Sequence, residues 1–214
     1  MIDTELNFIT DEERIAVRDR VIQLRDKWNT YSVKPSMHSI QKFSTLGDAL
    51  YLLESERLPV EQINRRTQQI LIDNFNWLYQ RICSKVADIT GKNTQLHPNL
   101  TAPGFHIGHI AGSYHVPFYH NDMSILTYDK EGSLDHSYSI LIPIEVPSHG
   151  AHLEYLDADD NVNILTYQPG AWHQWKATVK HKVGDLLLLE NEYRITLQCH
   201  YYLNVNADTN YIFF

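Results

Sequence analysis

Arg194-Ile195-Thr196-Leu197-Gln198-Cys199-His200 alternates polar and apolar side chains without a break. Successive side chains on a strand point to opposite faces, so Arg194, Thr196, Gln198 and His200 share one face while Ile195, Leu197 and Cys199 share the other. Tyr138, Ile140, Ile142, Ile144 and Val146 alternate in the same way. Further strands are expected near 104–110, 117–122, 151–156, 162–167, 170–179, 186–189 and 193–204. With its polar face turned into a small barrel, the strand at Arg194 carries a cation into the protein interior. Such a charge needs an anion beside it, because an unpaired buried charge costs more than a marginally stable domain can spare. A bound carboxylate answers that need. A guanidinium grips a carboxylate through two parallel donors, and the Thr196 hydroxyl, two residues along, can donate a further hydrogen bond.

His120-Asn121-Asp122 sets an imidazole and a carboxylate on one face of an extended segment. His181 follows after enough chain for several strands to travel round a barrel and return. Two histidines and one carboxylate form the face that leaves open positions on non-heme iron(II). Iron beside a carboxylate-binding arginine implies a keto-acid cosubstrate. Other readings use some of the same residues. His173, within Trp172-His173-Gln174-Trp175, competes as third ligand. His115 with His120 points to a cupin-like site richer in histidine, although the remaining cupin spacing is absent. A zinc hydrolase would use the same three donors with water in the open position, but leaves Arg194 without a role. The chain has no nucleophile elbow and no Gly-rich phosphate cradle.

From about Pro103 to His200 the chain resembles the iron(II)/2-oxoglutarate-dependent dioxygenases. His120, Asp122 and His181 match that family's metal triad, and Arg194 and Thr196 match its Arg-x-Ser/Thr. Pro103-Gly104-Phe105-His106 and the run from Arg194 to His200 also resemble segments of small bacterial members. The resemblance implies a double-stranded β-helix (jelly-roll, cupin-like) core, iron(II), and 2-oxoglutarate held by Arg194 and Thr196 at its distal carboxylate. It also implies dioxygen as co-reactant, with succinate and carbon dioxide as coproducts. Hydroxylation of an unactivated carbon is the default outcome. Family halogenases replace the carboxylate ligand with a small residue, whereas this chain keeps Asp122. Gln198 and His200 share the inward parity of Arg194 and are candidates to contact substrate. Tyr114, His115 and Tyr119 are further pocket candidates. A small polar metabolite, such as an amino acid or a derivative, is the expected substrate. The alternative is a sensor or interaction module that binds metal and 2-oxoglutarate without turnover.

The composition sets the frame for these readings. A chain of 214 residues, 43% hydrophobic, is long enough for one well-cored domain. A net charge of −8 argues against a broad basic footprint for nucleic acid. Only Cys83 and Cys199 are present, which excludes a disulfide scaffold and favours a reducing cytoplasmic setting, with both thiols as packing residues. No apolar run is long enough to cross a bilayer, and Met1-Ile2-Asp3-Thr4-Glu5 lacks the features of a signal peptide. Twelve histidines and thirteen tyrosines identify no site by abundance alone, and most are expected to be structural.

The first 91 residues read as a mainly helical supporting region and residues 92–214 as the β-helix core of the same domain. Thr10-Asp11-Glu12-Glu13 is a capping box, followed by Val17, Val21, Leu24 and Trp28 at helical spacing. A short helix is expected from about Ser44 to Glu54, through Leu46, Leu50 and Leu53. Pro59 can open a long helix with a stripe of Leu71, Phe75, Leu78, Ile82, Val86 and Ile89, stopped by Gly91. Asp157-Ala158-Asp159-Asp160-Asn161 reads as a solvated hairpin turn, since no complete calcium-loop pattern surrounds it.

Overall fold

Thr10 and Glu13 exchange the two hydrogen bonds of a capping box, at 3.2 Å and 2.9 Å, and helix α1 (Asp11–Gln23) begins there. The structure is a computed structural model that describes residues 2–36, 39–55, 65–116, 118–122, 136–203 and 208–214. Before α1 lies strand β1 (Asp3–Glu5). After it come the hairpin β2 (Asn29–Ser36) and β3 (Ser39–Leu46), then α2 (Leu50–Ser55) and α3 (Arg65–Thr90). The expected start of the long helix at Pro59 lies outside the described residues. Its end is as expected: Gly91 takes φ +68 and its N–H donates to Ala87 O at 2.8 Å.

From there the chain is β. The strands are β4 (Asn93–Leu96), β5 (Gly104–Gly108), β6 (Gly112–Tyr114), β7 (Ser137–Glu145), β8 (His149–Gly150), β9 (Leu153–Leu156) and β10 (Val162–Leu165). They continue with β11 (Trp172–Lys176), β12 (His181–Val183), β13 (Leu186–Leu188), β14 (Arg194–Tyr202) and β15 (Thr209–Phe213). Nine strands form one large sheet, with the path β1-β11-β7-β14-β5-β3-β2 and with β15 and β4 attached beyond β14. Two three-stranded sheets, β10-β9-β12 and β6-β13-β8, complete the sandwich. This is a double-stranded β-helix carrying N-terminal helices, the expected fold class.

Parity along the large sheet separates its two faces. Phe105, Ile107, Ile140, Ile142, Ile144, Ile195, Leu197 and Cys199 form one core with Val17 and Val21 of α1 and with Leu71, Phe75, Leu78, Ile82 and Val86 of α3. Burying each large aliphatic side chain in that layer contributes roughly 1.5–3 kcal/mol, so the helices are bound to the sheet by its outward apolar face. Residues of the opposite parity, among them Ser137, Leu141, Arg194, Gln198 and His200, line a cavity between the sheets. Burial raises the Cys83 thiol to about 11 and pushes the Cys199 thiol well above its ordinary value, as befits packing residues.

Two local expectations differ from the structure. The segment from Ser44 to Leu46 is strand, not helix, because it pairs with β5 in the register Ser44↔Ile107, Thr45↔His106 and Leu46↔Phe105. Gly47, at φ +112, then turns the chain so that the helix starts only at Leu50. The first 91 residues therefore include β1, β2 and β3, all members of the large sheet. Of the strand expected at 117–122, the described residues 118–122 are not a regular strand. They meet β12 through a single bridge, His120↔His181. The acidic turn joins β9 to β10, with Asp157 Oδ1 accepting from the backbone N–H groups of Asp159 and Asn161.

Candidate metal and carboxylate site

Segment 118–122 is held across the end of the small sheet by backbone bonds. His120 and His181 exchange N–H···O bonds of 2.9 Å, and Asp122 N donates to Ala177 O at 3.1 Å. Asn121 Nδ2 donates to Thr178 O at 2.6 Å, and the Tyr119 hydroxyl donates to Glu154 at 3.0 Å. These bonds bring His120, Asp122 and His181 together, with one ligand atom from each lying within 4.8 Å of the others. His181 Nε2 stands 3.5 Å from Asp122 Oδ2, and the two imidazole rings are 4.5 Å apart. Such a cluster of two imidazoles and a carboxylate can hold a divalent metal ion.

The surroundings prepare these groups for that role. His181 Nδ1 lies 2.9 Å from the Val179 carbonyl, an acceptor only, so the proton sits on Nδ1 and Nε2 keeps its lone pair for the cluster. Burial raises the Asp122 carboxyl, but His181, His200, His120 and the Ser139 hydroxyl together outweigh it and hold the group at about 2. Burial, assisted by the proximity of His181, lowers His120. The shifts of Asp122 and His120 therefore both favour the protonation states that bind a metal.

Deeper in the cavity, Arg194 is 8% exposed and, among the described residues, forms no ion pair. Its Nε and the Thr196 hydroxyl, both buried, have no hydrogen-bond partner among the described residues. The guanidinium lies 5.9 Å from the centre of the Tyr167 ring, and its charge opposes the rise that burial imposes on that phenol. A buried cation next to an orphaned hydroxyl is an incomplete arrangement that an anion with several acceptor atoms would complete. The arginine, Tyr167, Trp175 and the three candidate ligands all line one cavity of about 630 Å³.

Gln198 and His200 line the same cavity. Tyr114 and His115 stand at its wall, with exposed His115 paired to Asp185 at 2.6 Å. Tyr119 is turned to Glu154. His173 does not join the cluster: it is 1% exposed and its Nδ1 lies 3.0 Å from the Thr4 hydroxyl of β1. Sequence reasoning missed three neighbours. Ser139 donates to Asp122 and lies 3.1 Å from His200 Nδ1. His106 Nε2 and the Tyr51 hydroxyl are 2.9 Å apart at the cavity wall. A signal was present for the first two: Ser139 is a polar residue at an inward position of β7, and His106 is opposite Thr196 in the pairing of β5 with β14. Tyr51 gives no comparable signal.

No family model matches the chain, and no curated protein matches it by sequence. Solved structures do match in fold. A prolyl hydroxylase from Trichoplax adhaerens, in complex with a hypoxia inducible factor oxygen degradation domain peptide fragment, aligns with a TM-score of 0.59 and 12% identity. That alignment covers 95% of this chain and 83% of the hydroxylase. The non-heme alpha ketoglutarate dependent epimerase SnoN from nogalamycin biosynthesis aligns with a TM-score of 0.56 and 9% identity, over 96% of this chain and 81% of the epimerase. At these identities the likeness is one of fold. Among the described residues no helix is long and apolar enough to cross a membrane.

Proposed function

We propose that the protein is an iron(II)- and 2-oxoglutarate-dependent dioxygenase that hydroxylates a small organic molecule. The observation that carries this reading is the buried Arg194, without a counter-ion among the described residues, in the same cavity as the His120, Asp122 and His181 cluster. A hydrolytic metal site accounts for the cluster and leaves the arginine idle. A keto-acid cosubstrate employs both. The fold shared with 2-oxoglutarate enzymes of known structure supports the same reading.

His120, Asp122 and His181 would hold the iron. Arg194 and Thr196 would hold the far carboxylate of 2-oxoglutarate, the guanidinium through parallel N–H donors and Thr196 through its hydroxyl. Iron(II) with 2-oxoglutarate and dioxygen supplies the oxidising equivalents that convert C–H to C–OH, giving succinate and carbon dioxide as coproducts. The protein's share is positional. Val179 O fixes the ring of His181, and Ser139 holds the Asp122 carboxylate. Arg194 is buried beside apolar walls that include Leu141, Leu153, Trp175 and Leu186, which strengthens its grip on an anion.

Turnover tests the reading. Protein supplied with iron(II), 2-oxoglutarate and air is expected to form succinate above background, and Asp122→Ala to lose that activity. Equal succinate formation by Asp122→Ala would overturn the assignment. Iron and 2-oxoglutarate binding without succinate across a broad substrate panel would favour the sensor module instead.

A further inference from the structure

Beyond the metal cluster the cavity is walled by Phe43, Tyr51, Leu52, Phe213 and Phe214, contributed by β3, α2, β15 and the chain end. Among its described lining residues Asp122 is the only acid and Arg194 the only lysine or arginine. Both already have roles in the proposed chemistry. A free amino acid would bring an ammonium and a carboxylate into this chamber with no charged partner left for either among the described lining residues, at a cost of several kcal/mol per ion. The amino-acid-like metabolite expected from sequence therefore fits only with its charges capped.

The polar groups deepest in the chamber, His106, Gln198 and His200, are neutral. Burial, with Arg194 and His200 adding to it, pushes the His106 imidazole down to about 3. Tyr51 and Gln198 are both within hydrogen-bonding reach of that ring, so it is already engaged by the protein. Burial lowers His200 as well. The tautomer of His200 follows from its neighbours. A carboxylate only accepts, so the single Ser139 hydroxyl proton goes to Asp122, and the Ser139 oxygen accepts from His200 Nδ1–H at 3.1 Å. Neutral His200 then keeps a lone pair on Nε2.

We infer that the substrate is an uncharged small molecule with an aromatic or otherwise apolar body and a hydroxyl-type donor that hydrogen-bonds to Nε2 of His200. That this ligand is a substrate rests on the dioxygenase reading; the recognition itself rests on the chamber. Apolar walls bury the body, and the His200 lone pair favours a ligand that brings a donor. A compound of the same shape without the donor leaves a polar ring atom unsatisfied, which a buried site penalises.

Calorimetric titration with four matched probes tests this: 4-ethylphenol, 4-ethylanisole, tyramine and 4-ethylbenzoate. It is run without oxygen on protein loaded with iron(II) and 2-oxoglutarate, and in parallel on protein with neither. Tyramine and 4-ethylbenzoate are scored only in the loaded sample, where Asp122 and Arg194 are both occupied. The expected result is 4-ethylphenol binding at least tenfold tighter than tyramine and 4-ethylbenzoate, and about fivefold tighter than 4-ethylanisole. His200→Phe should erase the preference for the phenol over the anisole while still binding the anisole. Ser139→Ala, which releases the His200 tautomer, should shrink the same preference and serves if His200→Phe does not fold. Tyramine or 4-ethylbenzoate binding as tightly as the phenol would overturn the inference. So would failure of the phenol to bind, or a preference that survives both variants. Absence of the visible 2-oxoglutarate charge-transfer band in the loaded sample would count against the dioxygenase reading alone, since the preference for the phenol over the anisole is scored separately in the unloaded protein.

Discussion

The Ser139 hydroxyl donates its proton to the Asp122 carboxylate. This bond orients a candidate ligand from the strand behind it, and partners of that kind typically govern metal affinity by tenfold to a hundredfold. Ser139→Ala is expected to weaken iron(II) binding within that range while leaving the thermal unfolding of the metal-free protein within a few degrees. Competition against a chelator of known affinity reads the change. Unaltered affinity would show that Asp122 is positioned by its backbone alone.

Arg194→Lys separates charge from shape. Lysine keeps the positive charge and loses the planar pair of donors. The expected outcome is a rise of about tenfold or more in the 2-oxoglutarate concentration needed for half-maximal succinate formation, with a smaller change in the rate at saturation. Steady-state kinetics at fixed iron checks it.

Gly104 sits under the Phe214 ring. A Cβ at this position would stand 2.2 Å from Phe214 Cδ1 and 2.8 Å from the backbone oxygen of Leu46. The ring borders the cavity and can shift, but the backbone oxygen cannot give way cheaply. Gly104→Ala should destabilise the fold by about 1–3 kcal/mol, the usual cost of overpacking, as measured by urea denaturation.

Glu13 joins α1 to α3 through a paired contact with Arg81, at 2.6 Å and 2.7 Å. The hydrogen bond from Arg81 is the main reason its carboxyl is lowered to about 2. A carboxyl depressed on folding contributes stability that is present above its unfolded value of about 4.3 and is lost as pH falls toward the folded one. The stability difference between wild type and Glu13→Gln should therefore be constant from pH 7 to about 5 and shrink between about 4.3 and 2. Thermal unfolding across that range measures it, and a difference unchanged at pH 2 would contradict the ion-pair account.

Much of this arrangement is written in local periodicity. The alternation from Arg194 to His200 placed four polar groups on one face, and the structure puts Arg194, Gln198 and His200 on the cavity with Thr196 buried between them. The capping box at Thr10 and the stripe from Leu71 to Val86 were equally plain, because a helix start and a helical face are determined within a few residues. What escaped depended on distant partners. Leu46 has the spacing of a helix and lies in a strand because β5 offers it a free edge. Tyr51 reaches the cavity only because α2 is docked against β5 and the chain end, a tertiary relation with no trace in its own neighbourhood. The 117–122 segment looked like a strand, but its described residues 118–122 are irregular chain with a single bridge, held by the backbone of 177–181.

Anaerobic titration of iron(II)-loaded protein with 2-oxoglutarate tests the central claim most directly, because it reads binding at metal and arginine together without needing a substrate. The account predicts a visible metal-to-ligand charge-transfer band that saturates near one equivalent, with Arg194→Ala requiring at least tenfold more 2-oxoglutarate to reach the same absorbance. No band in protein shown by metal analysis to carry iron, or an identical titration in Arg194→Ala, would contradict it.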